Sequence, residues 1–226
     1  MGGAEARLYV DPMAAPPASL PRHPHVEIES EQRVWNGLFP LDVVQFRHRR
    51  FDGRMSALRT WELWRRGRVA ALLPYDPDAD LIVVMEQFRL PALAAGIEPV
   101  LLEFPAGLCE PGEDPLTTIV RESEEEIRLQ PDRLERIGDF MLTPGGADEY
   151  VALYAGRVRA PETDRVGIAG HGGTASESED IRVRVLPATE AIERALAGSV
   201  TNSVTALGLL WLASRRDWLR GLWSRA

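Results

Sequence analysis

The chain has 226 residues, 45% of them apolar and 27% charged, which suits one ordinary globular domain with a small appendage. Its 26 basic and 34 acidic residues give a formal net charge of −8. This balance argues against a nucleic-acid partner, because such binding relies on lysines and arginines that neutralise phosphates. An acidic chain can still bind a small phosphate compound when divalent cations supply the positive charge.

The N-terminal region has the composition of a flexible leader. Residues 1–25 carry repeated prolines among Ala, Ser and Gly, and lack a basic start followed by an apolar block. The longest apolar run, residues 207–213, is too short to cross a bilayer. A single cysteine excludes an intrachain disulfide. We therefore expect a cytoplasmic protein with no membrane partner.

Residues 26–67 have the pattern of β-strands. Residues 42–48 partly alternate between apolar and polar, and the Asp-Gly pair within residues 51–54 is a strong hairpin signal, which makes 55–64 the return strand. Apolar runs bounded by turn residues predict further strands at residues 68–73, 81–88, 100–104, 134–142, 150–158 and 181–186. A Pro- and Asp-rich turn is expected at 74–78.

A helix is predicted to begin after Asp114, which suits an N-cap, with Pro115 in the first helical position. Apolar and small residues then recur on one face at Leu116, Ile119, Val120, Ser123 and Ile127. Two more helices are expected at about 188–197 and 202–219. Strands mixed with helices favour an α+β chain or a three-layer α/β/α domain.

Glutamates cluster on the first of these helices. Helical spacing places Glu122 and Glu126 one turn apart beside the apolar face, and places Glu125 one turn beyond Arg121, where the two can pair. A like-charge pair at this spacing costs a few tenths of a kcal/mol. A hard divalent cation would remove that repulsion. Solvation alone also explains many glutamate-rich faces, so the helix by itself leaves both interpretations open.

The longer pattern is more specific. Gly107 is followed after five residues by Glu113, after seven more by Arg121-Glu122, and after two more by Glu125-Glu126. This pattern resembles the Nudix box, in the strand–loop–helix context that the Nudix hydrolase family requires. The resemblance implies magnesium-dependent hydrolysis of a nucleoside diphosphate compound.

Two positions depart from the family pattern. Ser123 replaces an aliphatic residue and fits a tight contact between helix and sheet. Arg128 replaces a glycine that ends the helix, which puts the local C-cap in question more than the chemistry.

The resemblance extends to bacterial ADP-ribose pyrophosphatases. It is carried by residues 41–49, 71–77, 86–89, 102–107, 143–146 and 177–181. It implies an α+β fold in which a Nudix α/β/α sandwich with a mixed sheet, residues 68–221, is preceded by an N-terminal β segment, residues 26–67. In this branch that segment is exchanged between the subunits of a homodimer. The implied reaction converts ADP-ribose to AMP and ribose 5-phosphate with two or three magnesium ions, for which manganese can substitute.

Two alternatives stay open beside this reading. The substrate could be another nucleoside diphosphate sugar, such as GDP-mannose. A non-catalytic module that binds ADP-ribose is a competitor of another class, but such modules typically lose box glutamates that this chain retains.

The resemblance assigns roles to individual residues. The implied metal ligands are the main-chain carbonyl of Ala106 and the carboxylates of Glu122, Glu126 and Glu179. Arg121 and Glu125 belong to the catalytic machinery, where Arg121 orients the ligand glutamates. The general base in this branch lies in a mobile loop, and Glu177 matches it best, with Glu179 as the other candidate. Residues 167–179 are glycine-rich and predicted to be flexible.

Substrate contacts are expected from four residues. Arg89 matches a phosphate-binding arginine, and its planar fork suits phosphate oxygens. Glu149 matches a contact to the terminal ribose, and Leu108 is placed against the substrate. The adenine clamp departs from better-known members, since Leu38 stands where an aromatic residue is usual and Trp61 where an arginine is usual. Trp61 could stack on a purine or pack at a subunit interface.

Overall fold

The computed structural model describes residues 19–173 and 179–223. Three N-terminal strands, β1 (Val26–Trp35), β2 (Leu41–His48) and β3 (Arg59–Trp64), form an antiparallel sheet in that order. A larger sheet contains β4 (Arg68–Asp76), β5 (Leu81–Phe88), β6 (Val100–Glu103), β7 (Ala106–Leu108), β8 (Arg133–Met141), β9 (Tyr150–Arg157), β10 (Ile168–Gly172) and β11 (Ile181–Pro187). The helices are α1 (Leu90–Ala94), α2 (Pro115–Ile127), α3 (Ala188–Leu196) and α4 (Ser203–Trp223).

The larger sheet is mixed, as the sequence predicts. Its main path runs β10-β11-β5-β4-β9-β8, while β6 pairs with β5 and β7 pairs with β4. β4 and β9 are parallel, and the other pairs are antiparallel. β7 is the last strand before α2 in the sequence, and it pairs with β4. This pairing brings the segment that precedes the helix to the middle of the sheet.

Side chains of β4 alternate between two helical layers. Ala70 and Leu72 pack with Ile119 of α2, whereas Leu73 and Tyr75 lie in a cluster that includes α3 and α4. All five are fully buried. Successive residues of a strand point to opposite faces, so one strand serves both cores. Burial of a side chain the size of Leu72 stabilises the fold by roughly 1.5–3 kcal/mol. The predicted α/β/α sandwich is therefore confirmed.

The predicted box helix is also confirmed. Asp114 is extended at the N-cap and accepts a hydrogen bond from the N–H of Leu116 at 2.9 Å, with Pro115 as the first helical residue. The two C-terminal helices form where they are expected, although α4 continues to Trp223. Within residues 19–173 and 179–223, no helix combines the length and apolarity that spanning a bilayer requires.

Several strand boundaries differ from the prediction. The turn expected at 74–78 begins only after Asp76, because β4 runs on through Pro74. β5 pairs with β4 only at Tyr75 and Asp76, so the absence of an N–H on Pro74 removes no hydrogen bond between these two strands. The return strand expected at 55–64 begins at Arg59, after a hairpin turn in which Gly53 has φ +82°.

Three elements were missed, namely α1, β7 and β10. Residues 168–172, expected within a flexible loop, instead pair with β11 as β10. Their glycine content is typical of a loop, but pairing with a neighbouring strand stabilises them as a strand. The Ile168–Gly172 part of that prediction is therefore wrong.

The two sheets are joined through β3 and the residues that follow it. Asp148 accepts hydrogen bonds from the side chain of Arg65 (2.7 Å) and from the N–H groups of Arg66 (2.6 Å) and Gly67 (3.1 Å). The N–H of Trp64 also donates to the carbonyl of Gly146 at 2.8 Å. These bonds attach the end of β3 and the residues after it to the loop that precedes β9 of the larger sheet.

Candidate active site

Glu126 is the most buried carboxylate of the box helix, with 2% of its surface exposed. Its Oε2 accepts a hydrogen bond from the N–H of Ala106 at 2.8 Å. Burial, together with the charges of Glu122 and Glu179, raises the pKa of Glu126 to about 9 despite that hydrogen bond. The helix and the segment just before β11 therefore bring the carboxylates of Glu122 and Glu179 close enough to Glu126 for their charges to act on it.

The backbone of Gly107 lies against the second of these carboxylates. A Cβ at this position would stand 1.8 Å from Oε1 of Glu122 and 2.0 Å from its Cδ. Only glycine leaves room for this approach. The strand β7 thus passes between Glu122 and Glu126, with Ala106 bonded to one and Gly107 touching the other.

Arg121 holds three glutamates at once. Its Nη1 donates to Glu122 Oε1 at 2.8 Å and to Glu125 Oε2 at 3.1 Å, and its Nη2 lies 3.5 Å from Glu113 Oε2. Although burial opposes it, the charges of Glu122 and Glu113 raise the pKa of Arg121. Glu113 is fixed in turn by Thr118 Oγ1 at 2.8 Å. The predicted Arg121–Glu125 pair is present, and Arg121 also reaches the carboxylate of Glu122.

The C-terminal end of α2 contacts the end of β10. Arg128 takes the left-handed conformation, with φ 59° and ψ 33°, at the position where the family has glycine. The N–H of Gly173 donates to the carbonyl of Glu125 at 3.0 Å. A Cβ on Gly173 would lie 2.7 Å from Cβ of Glu179, so residues 173 and 179 are close neighbours beside the helix. Glu177, the predicted base, lies outside the described residues.

Arg89 follows β5 and forms an ion pair that sequence reasoning missed. Its Nε and Nη2 donate to Oε2 of Glu103 at 3.0 and 2.7 Å. The charges of Glu126 and Glu179 also raise the pKa of Arg89, so Arg89 lies near these two carboxylates. Asn202 donates to Oε1 of Glu103 at 3.0 Å. These partners are 14 and 99 residues apart from Glu103, so helical or strand periodicity gives no signal for them.

A groove of about 870 Å³ lies between the N-terminal sheet and the loop that carries Gly145 and Gly146. Its apolar lining includes Trp35, Leu38, Phe39, Trp61 and Trp64. The Trp61 indole is 52% exposed and packs edge-on against another ring of the same sheet. Leu38 and Trp61, which stand at the positions of the family's adenine clamp, therefore line the same groove.

The two remaining predicted substrate contacts differ in their surroundings. Glu149 accepts a hydrogen bond from Arg66 at 3.1 Å, and the guanidinium of Arg66 stacks 3.8 Å from the ring centre of Phe39. Leu108 is exposed at the end of β7. Glu149 is thereby tied to the aromatic groove, whereas Leu108 lies next to the glycine that touches Glu122.

The donor set suits a hard cation. In the described ranges 19–173 and 179–223, no three His, Cys, Asp or Glu side chains are already gathered as a metal centre. Arg121 instead holds the carboxylate of Glu122. Carboxylate and main-chain oxygens are nevertheless the ligands that magnesium prefers. The crowding of Glu122, Glu126 and Glu179 is a charge distribution that a divalent ion would neutralise.

Comparison with known proteins gives concordant matches. The NUDIX domain family matches residues 64–204. An ADP-ribose pyrophosphatase of Escherichia coli (strain K12) is 36% identical over 199 residues, 88% of this chain and 93% of that protein. The ADP-ribose pyrophosphatase of Haemophilus influenzae is 35% identical over 204 residues, 89% of this chain and 92% of that protein.

More distant matches include a relative named for a different substrate and a solved structure of the same fold. A GDP-mannose pyrophosphatase of Yersinia enterocolitica is 31% identical over 159 residues, 69% of this chain and 78% of that protein. A crystal structure described as an ADP compounds hydrolase has a TM-score of 0.61 at 20% identity, covering 88% of this chain and 96% of that one. At this identity the likeness shows a shared fold.

Proposed function

The chain belongs to the Nudix family, and from this premise we propose that it hydrolyses the pyrophosphate bond of ADP-ribose to give AMP and ribose 5-phosphate. The observation that carries the proposal is that Glu126 and Glu122 both contact the Ala106–Gly107 backbone, while Glu179 lies near enough for its charge to act on Glu126. The names and near-complete coverage of the ADP-ribose pyrophosphatases that this chain resembles support the substrate.

Four groups would hold two or three magnesium ions, with manganese as a substitute. They are the carbonyl of Ala106 and the carboxylates of Glu122, Glu126 and Glu179. When bound, the metal supplies positive charge to the diphosphate and lowers the pKa of a nearby water. Arg121 and Glu125 keep the carboxylate of Glu122 oriented, through the contacts at 2.8 and 3.1 Å.

Arg89 would bind the diphosphate. Its Nε and Nη2 face Glu103, and its Nη1 is outside that contact. A guanidinium held on one edge loses little freedom when its other edge binds a phosphate oxygen. Glu177 would accept the proton of the attacking water, since it stands in the acidic segment 177–180, which also contains Glu179. Glu179 is the alternative base.

The aromatic groove would hold the purine. Trp61 is exposed within it and offers a flat face for stacking. Glu149 would contact the terminal ribose, and Leu108 would line the substrate path beside Gly107. Leu38 contributes apolar surface where an aromatic clamp is usual in the family.

We further propose a homodimer in the cytoplasm. Residues 26–67 would form the dimerisation segment, residues 68–221 the catalytic domain, and residues 1–25 a flexible leader. The N-terminal strands and their connections expose large apolar side chains at Ile28, Val34, Trp35, Leu38, Phe51 and Trp61. Exposed apolar clusters of this kind mark association surfaces. A single cysteine is compatible with a reducing compartment.

A second substrate class is a GDP-sugar such as GDP-mannose. It is favoured by the GDP-mannose pyrophosphatase match and by the Trp61 and Leu38 departures in the clamp. The deciding experiment measures nucleoside monophosphate release from ADP-ribose, GDP-mannose and NADH, with magnesium and with EDTA. We expect the highest kcat/KM for ADP-ribose and no turnover with EDTA. A higher kcat/KM for GDP-mannose would favour the second class, and absence of turnover on all three would refute both.

A further inference from the structure

The start of α4 is joined to Arg89 through the buried carboxylate of Glu103, which is the last residue of β6 and is 4% exposed. A carboxylate in such a position needs hydrogen-bond donors for both oxygens. Arg89 supplies the shorter bonds to Oε2, at 2.7 and 3.0 Å. Oε1 receives Asn202 Nδ2 at 3.0 Å and only a longer contact, 3.2 Å, from Arg89 Nε. Asn202 is therefore the closer donor to the second oxygen.

The orientation of the Asn202 amide is fixed by its own helix. Its Oδ1 accepts from the N–H of Thr205 at 3.0 Å and from Thr205 Oγ1 at 3.1 Å, and its main-chain carbonyl accepts from Ala206 at 2.9 Å. A backbone N–H can only donate, so the amide oxygen must face Thr205. The amide nitrogen is then left to face Glu103. One side chain thus caps α4 and donates to the partner of Arg89.

The same helix turn also holds the chain that leads to the glutamate cluster. Thr205 Oγ1 accepts from the N–H of Phe104 at 3.1 Å, two residues before Ala106. A Cβ on Gly208 would stand 2.5 Å from Cε2 of Phe104, so the helix lies directly on this ring. The end of β6 that carries Glu103 is therefore fixed against helix α4. Glu103 has little freedom to follow a displaced arginine.

We infer that Asn202 is a positioning residue for Arg89: it fixes the carboxylate of Glu103, which holds the guanidinium in the orientation that binds the diphosphate. The inference rests on the proposed role of Arg89 in substrate binding. Without the Asn202 donor, Oε1 keeps only the 3.2 Å contact and the carboxylate can rotate together with the guanidinium. Substrate binding then loses a preoriented cation.

The test is a series at position 202 that preserves the helix cap. Asn, Ser and Asp are N-caps of similar strength. Asn202→Ser removes the amide donor without adding charge, and Asn202→Asp places a second carboxylate beside Glu103. Because hydrogen bonds to charged groups are strong, we expect the KM for ADP-ribose with magnesium to rise about tenfold in Asn202→Ser, and further in Asn202→Asp, with a smaller change in kcat. Ser203→Ala, on the same turn and exposed, is the matched control.

A double-mutant cycle with Arg89→Ala separates positioning from a merely structural role. If Asn202 acts through Arg89, Asn202→Ser has no further effect on KM in the Arg89→Ala protein. Equal fold-changes in both backgrounds, or an unchanged KM in Asn202→Ser, would overturn the inference while leaving the proposed hydrolysis intact. An unchanged KM in Arg89→Ala alone would refute the role of Arg89 and the inference with it. Absence of ADP-ribose hydrolysis by the wild-type protein would refute the proposed function itself.

Discussion

Gly107 and Glu122 are in direct contact: a Cβ on Gly107 would lie 1.8 Å from Glu122 Oε1. The alanine variant therefore has to displace either the carboxylate or strand β7. Since a displacement of about 1 Å at a reacting centre can cost a hundredfold in rate, we expect Gly107→Ala to lower kcat/KM by about that factor. Gly221→Ala is the control, because a Cβ there meets nothing within 4 Å. Full turnover by the Gly107→Ala protein would show that catalysis does not depend on the position of the Glu122 carboxylate.

Replacement of Glu126 by glutamine should separate stability from activity. Because the pKa of Glu126 is raised to about 9, its carboxyl is already neutral at pH 7 without metal, so a neutral amide should leave the Tm of the metal-free protein nearly unchanged. Activity should fall by about a hundredfold or more, since metal-held charge stabilises the transition state by several kcal/mol.

The same variant tests metal binding without an activity assay. A ligand present at a hundred times its Kd stabilises the native state by about 2.7 kcal/mol, so magnesium should raise the Tm of the wild type. This rise should be absent in Glu126→Gln. An equal rise in both proteins would mean that the cation binds somewhere else.

Trp61→Ala tests the aromatic groove. Stacking of an aromatic side chain on a base contributes about 1–3 kcal/mol, so the KM for ADP-ribose should rise about tenfold with little change in kcat. Trp218→Ala is the matched control, because Trp218 on α4 is similarly exposed, at 46% against 52% for Trp61. The mass of both variants in solution should be measured alongside. A protein that loses its dimer but keeps its KM would place Trp61 at the subunit interface instead.

The pH dependence of stability should follow Asp42, which is buried between Arg33 (2.9 Å) and Arg65 (3.3 Å). The hydrogen bond from Arg33 is the largest of the effects that hold the pKa of Asp42 below its usual range. A carboxyl whose folded pKa is depressed stabilises the fold above its unfolded pKa of about 3.9, and this contribution disappears as the pH falls through the folded value.

Asp42→Asn should therefore lower the free energy of unfolding by about 2 kcal/mol at neutral pH. The difference between variant and wild type should become smaller as the pH falls. Urea unfolding at pH 7 and at pH 3 measures both values. Asp52→Asn is the control, because Asp52 also pairs with an arginine, Arg54, but in an exposed turn where such pairs contribute little. A difference that is constant between the two pH values would contradict the assignment.

Arg128→Gly should stabilise the protein. Arg128 holds a left-handed conformation that costs a residue with a Cβ roughly 1 kcal/mol, and glycine adopts it freely. The contact that would be lost, from Arg128 Nη2 to the carbonyl of Gly173, is long at 3.4 Å. We expect a Tm increase of about 2–4 °C in Arg128→Gly and none in Arg128→Ala. A lower Tm in Arg128→Gly would show that the 3.4 Å contact outweighs the backbone strain.

Local patterns in the sequence predict much of the box helix. The Asp114 cap, the buried face of α2 and the Arg121–Glu125 pair all depend on residues within one or two helical turns, and each is present. The Asp-Gly hairpin at Gly53 is equally local. The replacement of glycine by Arg128 put the local C-cap in question, but Arg128 itself adopts the left-handed conformation and the cap forms.

Long-range contacts escaped the same reasoning. The Arg89–Glu103–Asn202 connection joins residues from β5, β6 and α4, and nothing in the spacing of their side chains marks them as partners. β10 was missed because a glycine-rich composition is typical of loops, whereas this strand is stabilised by pairing with β11. Whether Glu177 acts as the base stays a prediction.

The bonds from α4 to Glu103 and Phe104 have a consequence for synthesis. They join residues about a hundred positions apart, so a growing polypeptide exposes the box glutamates long before the ribosome has made their last support. Nascent chains halted before Asn202 should hold α2 but leave the Glu103 carboxylate without its amide donor. Full affinity for the substrate should therefore appear only after α4 has left the ribosome and packed against β6.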